Sequence, residues 1–334
     1  MDSEQLHTRR AARAYERQRR QTRRRAAAGA ALVIVAVLAV MAVAGAGGGP
    51  GSPARHGHRS SASRSPGAAR PGAPAPSRAR GGDTAAALGT ASGRPGTTPV
   101  PILMYHVIAA PPPGAPFPGL YVPAAEFAQQ MQALKSAGWT GVTLDQLRAY
   151  WQHGARLPPG KPIVITFDNG YRSQYIAALP VLRRLGWVAD ENMQLSGLPP
   201  AQGGLTADQI RGMVRAGWEL DTQGISHADL ITLTAAGLHD QVATARQIIR
   251  HRYGVPVNWF CYPSGHYNAT VVAAVRAAGY VGSTTVVPGW AGPNTESYRL
   301  PRLRVLGGTT GSELLTQIAT SRSAGAPPTA YGGA

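Results

Sequence analysis

The chain has 334 residues and a formal net charge of +17, from 33 Lys+Arg against 16 Asp+Glu. Residues 1–99 hold 16 arginines and four acids, a net +12, so most of the basic excess lies in a stretch too poor in large apolar residues to build a core. The single cysteine, Cys261, excludes an intramolecular disulfide and a cysteine zinc cluster.

Residues 1–25 carry nine arginines and three acids and are expected to form a cytoplasmic tail. Ala26 to Ala46 follows without a charge, rich in Ala, Val, Leu and Ile. At about 1.5 Å per residue it is long enough to cross the roughly 30 Å hydrocarbon core as a single transmembrane anchor. The arginine flank then stays inside and the remainder of the chain lies outside. Ala44-Gly45-Ala46 also fits a signal-peptide cleavage site, and cleavage would give a secreted protein on the same side of the membrane. Arginines beside an apolar span serve topology or contact with anionic lipid, and nucleic acid is not expected as a partner. Residues 47–98, dominated by Gly, Pro, Ala, Ser and Arg, read as a disordered linker.

From residue 99 to 320, short apolar runs alternate with helical patterns, the signature of an α/β domain. Strands are expected at Ile102 to Val107, Ile163 to Phe167, Val188 to Leu195, Trp218 to Asp221, Trp259 to Tyr262 and Tyr280 to Ser283. Helices fall at Ala124 to Ala137, Gln174 to Leu185, Ala207 to Ala216, Ala235 to Tyr253 and Thr270 to Ala278, and Gly138, Gly186, Gly217, Gly254 and Gly279 stand at their ends as stop signals. Periodicity alone leaves open whether the strands close as a barrel or form an open doubly wound sheet. In either, chemistry collects at the strands' carboxyl ends, where Asp168, Gln223 and the Pro263 to Tyr267 segment fall. Residues 321–334 return to Ala, Gly, Pro and Ser and are expected to be a disordered tail.

Four polar segments occur in order: Met104-Tyr105-His106, Thr166-Phe167-Asp168-Asn169-Gly170-Tyr171, Ser226-His227-Ala228-Asp229-Leu230, and Tyr262-Pro263-Ser264-Gly265-His266-Tyr267-Asn268. Together they resemble the polysaccharide deacetylase family with its NodB homology domain. The resemblance implies a distorted (β/α) barrel, a divalent metal, usually zinc, and hydrolysis of an N-acetyl group on a sugar polymer. The metal polarises the amide carbonyl and brings its bound water to a pKa of about 7, and a carboxylate takes the proton.

Mapped onto this chain, the resemblance makes Asp168 the general base and His106 a candidate general acid. It places Asn169 on the metal-binding aspartate, Gln223 on the first metal-binding histidine and His227 on the second. Two of three ligand positions therefore carry amides, poor partners for zinc. Asp221, two residues from Gln223 and so on the same side of a strand, is a candidate substitute ligand, and the polar run Asp190-Glu191-Asn192 adds to that reading. A solvated strand end is the alternative. Tyr171, Tyr262, Pro263, Ser264 and Gly265 fall where the family lines its substrate groove, with a backbone N–H for the oxyanion. Cys261 occupies the position where many members carry an arginine beside the base, so no positive charge is expected from there.

Two functions stay open at this stage. One is a membrane-anchored, cell-surface hydrolase of the carbon–nitrogen bond in an N-acetylated glycan, peptidoglycan or poly-N-acetylglucosamine. The other is a non-catalytic glycan-binding protein on the same fold that has lost its metal.

Overall fold

The computed structural model describes residues 93–196, 198, 203–323 and 325–333. The chain divides into Met1–Gly82 and Asp83–Ala334, and every described residue belongs to the second unit. The expected cytoplasmic tail, the 26–46 anchor and the linker up to residue 92 lie outside the described residues. Among the described residues no helix is long and apolar enough to cross a membrane.

Strands β1 (Val100–Tyr105), β2 (Trp139–Val142), β3 (Lys161–Asn169), β4 (Asp190–Met193), β5 (Glu219–Thr222), β6 (Trp259–Cys261) and β7 (Gly282–Thr284) form a curled parallel sheet. Its order is β7-β6-β5-β4-β3-β1, with β2 paired to the start of β3. Two short strands complete it: β8 (Trp290–Ala291), antiparallel to β1, and β9 (Leu303–Arg304), parallel to β1. Just before β9, Leu300 bridges to Thr284 of β7. The segment Leu300 to Arg304 therefore spans from one edge of the curl to the other and turns the sheet into a distorted barrel.

Among the described residues eight α-helices surround it: α1 (Ala124–Ser136), α2 (Leu144–His153), α3 (Leu179–Leu185), α4 (Ala207–Arg215), α5 (Ala235–His239), α6 (Ala245–Tyr253), α7 (Ala269–Ala277) and α8 (Gly311–Thr320). Capping boxes start α2, α4 and α8, at Thr143 with Gln146, Thr206 with Gln209 and Thr310 with Glu313. Single π-turns precede α3 at Gln174–Ala178 and α6 at Asp240–Thr244.

Alternation along the strands separates two cores. Ile163, Ile165 and Phe167 of β3 pack outward under the helices with Leu103 and Tyr105 of β1, whereas Val100, Ile102, Val164 and Trp259 fill the barrel interior with Leu144 and Leu147 of α2. The inner row of β3 thus runs Val164, Thr166, Asp168, apolar below and polar at the carboxyl end.

Two expected disordered stretches are ordered where described. Residues at the end of the linker lie along α2: Gly96 N–H donates to the Tyr150 carbonyl, and the Thr98 carbonyl accepts from Trp151 Nε1. Past α8, Tyr331 exchanges both backbone hydrogen bonds with Tyr267, Pro328 O accepts from Tyr267 Oη, and Pro327 is buried. Pairing with Tyr267 offsets the ordering entropy that composition alone suggested would prevail.

Candidate active site

Asp168 projects from the carboxyl end of β3 into the barrel and is 1% exposed. Its Oδ1 accepts from Arg302 Nη1 at 2.7 Å and from Asn192 Nδ2 at 2.9 Å, and its Oδ2 accepts from Arg302 Nη2 at 2.9 Å. The fork-to-carboxylate geometry is the strong, bidentate kind. Burial by itself would raise the Asp168 pKa, but the charge and hydrogen bonds of Arg302, helped by His106 and Asn192, hold it down at about 2. The carboxyl group is ionised throughout the physiological range.

Positive charge thus reaches the base after all, from a different place. Cys261 stands where the family's arginine is expected, and Arg302, carried in on the barrel-closing segment, lies with Nη2 at 3.2 Å from the Cys261 Sγ. Arg302 further donates to Thr166 Oγ1 and the Thr285 carbonyl and is fully buried. The sequence reading missed it because nothing local marks it; only barrel closure brings residues 168 and 302 together. Cys261 is itself fully buried, and burial pushes its thiol up to about 12. Native protein is expected to resist thiol labelling at pH 8, with one thiol per chain labelled after denaturation; rapid labelling of folded protein would contradict this.

His106 follows β1 with Nε2 3.9 Å from Asp168 Oδ2. Burial drives its pKa down to about 4, against the pull of Asp168, so at neutral pH the ring is uncharged. Its Nδ1 is buried without a partner. A neutral imidazole is a weak general acid, so the role expected of His106 requires a proton it does not carry at pH 7. Gln174, in the first π-turn, donates Nε2 to the carbonyls of both His106 and Asp168 and so ties the ends of β1 and β3 together.

The family's metal position is the decisive place. Asn169 ends β3 at φ 81°, and its Nδ2 donates to Gln223 Oε1 at 2.9 Å and to Gln194 Oε1 at 3.3 Å. The two substituted positions are thus adjacent, as the mapping requires, and bonded to each other, the Gln223 amide oxygen accepting from the Asn169 amide. His227, at φ 53°, has its pKa lowered by burial and is close enough to Asp168 to feel its charge. One imidazole with two mutually paired amides does not fit zinc.

Neither candidate substitute fills the gap. Asp221 shares the inner face but lies deeper, its Oδ1 accepting from Trp259 N–H at 2.9 Å and its carboxyl grouped with Asp190 and Glu219. Burial raises its pKa well above the ordinary value. Glu191 is in register with Phe167 and Leu220, both in the outer core, so it faces the helices. Asn192 faces inward, onto Asp168, and acts on the base.

The groove residues divide. Tyr262 is buried, with its hydroxyl on the Tyr298 carbonyl and its ring stacked on Tyr267, so its side chain belongs to the core and not to a groove. Pro263 and Gly265 are buried within a 3₁₀ turn and Ser264 is exposed. Gly265 and His266 N–H groups donate within the turn, to Tyr262 and Pro263, which leaves the Ser264 N–H as the donor without a described partner. Gly265 has φ 76°, and a Cβ there would lie 2.3 Å from Val286. Gly265→Ala should therefore cost roughly 1–3 kcal/mol, read as a lower urea midpoint; an unchanged midpoint would show that the turn can move aside. Tyr171 is half-buried where the chain leaves β3. The His266 ring, beside the turn, lies with Nδ1 3.1 Å from Asp229 Oδ1.

The ordered set of a buried base at the end of β3, a histidine after β1, a strained histidine after β5 and a 3₁₀ turn after β6 has relatives. The polysaccharide deacetylase family profile matches residues 155–283. YxkH of Bacillus subtilis (strain 168), provisionally named a polysaccharide deacetylase, is 30% identical over 213 residues, covering 64% of this chain and 74% of that protein. The chain belongs to the polysaccharide deacetylase family. Among solved structures it is similar to the Streptococcus pyogenes deacetylase PplD in complex with acetate, with a TM-score of 0.61 and 25% identity over 67% of this chain and 99% of that one. It is also similar to BC0361, a polysaccharide deacetylase from Bacillus cereus, with a TM-score of 0.59 and 26% identity over 66% of this chain and 69% of that one. The mapping that the resemblance implies assigns Asp168, His106, His227 and the turn to family positions and puts amides, Asn169 and Gln223, at two of the expected metal-ligand positions.

Proposed function

We propose that this chain is a glycan-binding member of the polysaccharide deacetylase family that holds an N-acetylated sugar polymer at the carboxyl rim of the barrel without metal-dependent hydrolysis. The observation that carries the proposal is the Asn169 to Gln223 hydrogen bond across the family's metal position. A metal-bound water, its pKa brought to about 7, gives up a proton to a base of pKa about 2 far more readily than free water does, so loss of the metal removes the principal activation of the nucleophile.

What remains suits binding. The exposed Ser264 turn offers hydrogen bonding, and two aromatic residues lie in loops after strands, half-buried Tyr171 after β3 and 56%-exposed Phe117 after β1. The polymer would be peptidoglycan or poly-N-acetylglucosamine. Residues 26–46 would anchor the chain in the membrane and place the barrel on the outer side, where such glycans lie; cleavage after Ala46 would release it there. Protease added to intact cells should remove the barrel, and full protection would refute this address.

The hydrolase reading retains one observation in its favour: Asp168 is still ionised and held in a bidentate grip, with His106 beside it. Co-sedimentation with peptidoglycan and calorimetry with N-acetylglucosamine oligomers, run alongside an acetate assay, separate the two. Saturable binding that survives chelator, without acetate release, is the expected result. Acetate release that Asp168→Asn abolishes would establish the hydrolase instead.

A further inference from the structure

Beneath Asp168, the inner face of the barrel carries a second polar group that the site above does not use. Asp190 and Glu219 begin β4 and β5 and are in register with each other, and Asn192 is in register with Asp221. Alternation places all four on the face that carries Thr166 and Asp168. Asp190, Glu219 and Asp221 each present an oxygen within 4.8 Å of the other two. Asp190 is 0% and Asp221 2% exposed, and Glu219 is half-buried.

Part of their bonding capacity is satisfied. At the start of α2, Leu144 N–H donates to Asp190 Oδ1 at 3.0 Å and Asp145 N–H to both oxygens of Glu219 at 3.0 and 3.1 Å, while Trp259 N–H serves Asp221 Oδ1. The remainder is not. Asp190 Oδ2 and Asp221 Oδ2 are sealed from solvent without a partner. An independent residue adds to them: Asn192, fully buried and uncharged, donates its Nδ2 to Asp168 and leaves its Oδ1 unpartnered. Among the described residues no basic side chain forms an ion pair with any of the three acids. Acceptor oxygens of three residues that neighbour one another on this face are therefore buried with no donor except a proton shared between carboxyl groups, as in the Asp190–Glu219 hydrogen bond, an arrangement that is costly when the carboxyl groups are ionised.

We propose that Asp190, Glu219 and Asp221, with the Asn192 carbonyl oxygen, form a site for a hard divalent cation of the calcium kind, separate from the family's metal position at His227. The ligand chemistry selects the ion. All the donors are oxygens, which suits calcium or magnesium, and the absence of imidazole or thiolate disfavours zinc. Calcium accepts irregular geometry with ligands about 2.3–2.6 Å away, so oxygens up to 4.8 Å apart can share one ion. Such an ion would join β4 and β5 to the start of α2 and fix Asn192, the neighbour that orients Asp168.

The test uses the full chain stripped with chelator and titrated with calcium, magnesium or terbium chloride. The expected results are about one calcium per chain by elemental analysis, a saturable calcium-dependent rise in Tm, and terbium luminescence on tryptophan excitation, Trp259 being bonded to Asp221, that calcium displaces. All three should be lost in Asp221→Asn and kept in His227→Ala. Wild-type protein with no bound divalent ion and no calcium-dependent Tm shift would overturn the proposal, and so would a calcium-dependent Tm shift that persists undiminished in Asp221→Asn.

Discussion

The double substitution Asn169→Asp with Gln223→His is expected to create a metal centre. The two side chains already meet at 2.9 Å, at the ends of β3 and β5, and His227, on the loop after β5, is near enough to Asp168 to feel its charge. Replacing mutually bonded amides with a carboxylate and an imidazole supplies the donor set zinc prefers. The gain in zinc affinity should exceed the roughly 10–100-fold that loss of a mere outer-shell partner costs. Cobalt loading should give near-stoichiometric metal with visible absorption in the double variant and none in the wild type. With bound water available to Asp168, acetate release from N-acetylglucosamine oligomers should rise from background, and adding Asp168→Asn should abolish it while leaving the metal bound. A double variant that binds no metal would show that loss of metal reaches beyond these two residues.

Arg302→Met is expected to have the largest effect on stability. Removing one partner of a buried pair leaves the other charged and uncompensated, at a cost of about 3–5 kcal/mol. The pair also fixes the pH dependence. Asp168 is held at about 2 in the folded chain against an ordinary 3.8, so its contribution, roughly 2 kcal/mol, is fully present above pH 4 and is lost as pH falls through about 2. His106, depressed to about 4 from 6.5, acts in the same direction over a higher window, its contribution present above pH 6.5 and lost as pH falls toward 4. Without Arg302, burial dominates Asp168 and raises its pKa, so its contribution changes sign: stability is favoured at low pH and declines as pH rises. Urea midpoints from pH 2 to 8 check this. A variant that keeps the wild-type acid slope would show that Arg302 does not set the Asp168 charge. Arg302→Met with Asp168→Leu should recover much of the loss, because no charge is then left unpaired.

The sequence was most informative where chemistry and periodicity coincide. The apolar run into Asp168 identified β3 and its carboxylate, and glycine stops bounded several helices within a few residues. What was missed had weaker or longer-range signals. β2 and α2 went unread although Thr143 and Gln146 spell a capping box and Gly154 provides an αL stop, because only four residues of strand precede the helix. β8 and β9 are two residues each and exist only through pairing with β1. Arg302 is the instructive case: the loss of charge at Cys261 was legible, but its replacement from 41 positions away depends on closure of the barrel. Asp221 was misjudged for the opposite reason. Sharing a strand face with Gln223 was a sound inference from alternation, but two residues of rise along β5 carry it down among Asp190 and Glu219.

The most direct test of the central claim is the metal content of purified protein after loading with zinc, cobalt or nickel, measured beside His227→Ala. No metal that depends on His227 is expected; calcium held at Asp190, Glu219 and Asp221 would be indifferent to that substitution. Near-stoichiometric zinc, cobalt or nickel that disappears in His227→Ala would contradict it and show that the family's metal site works despite Asn169 and Gln223.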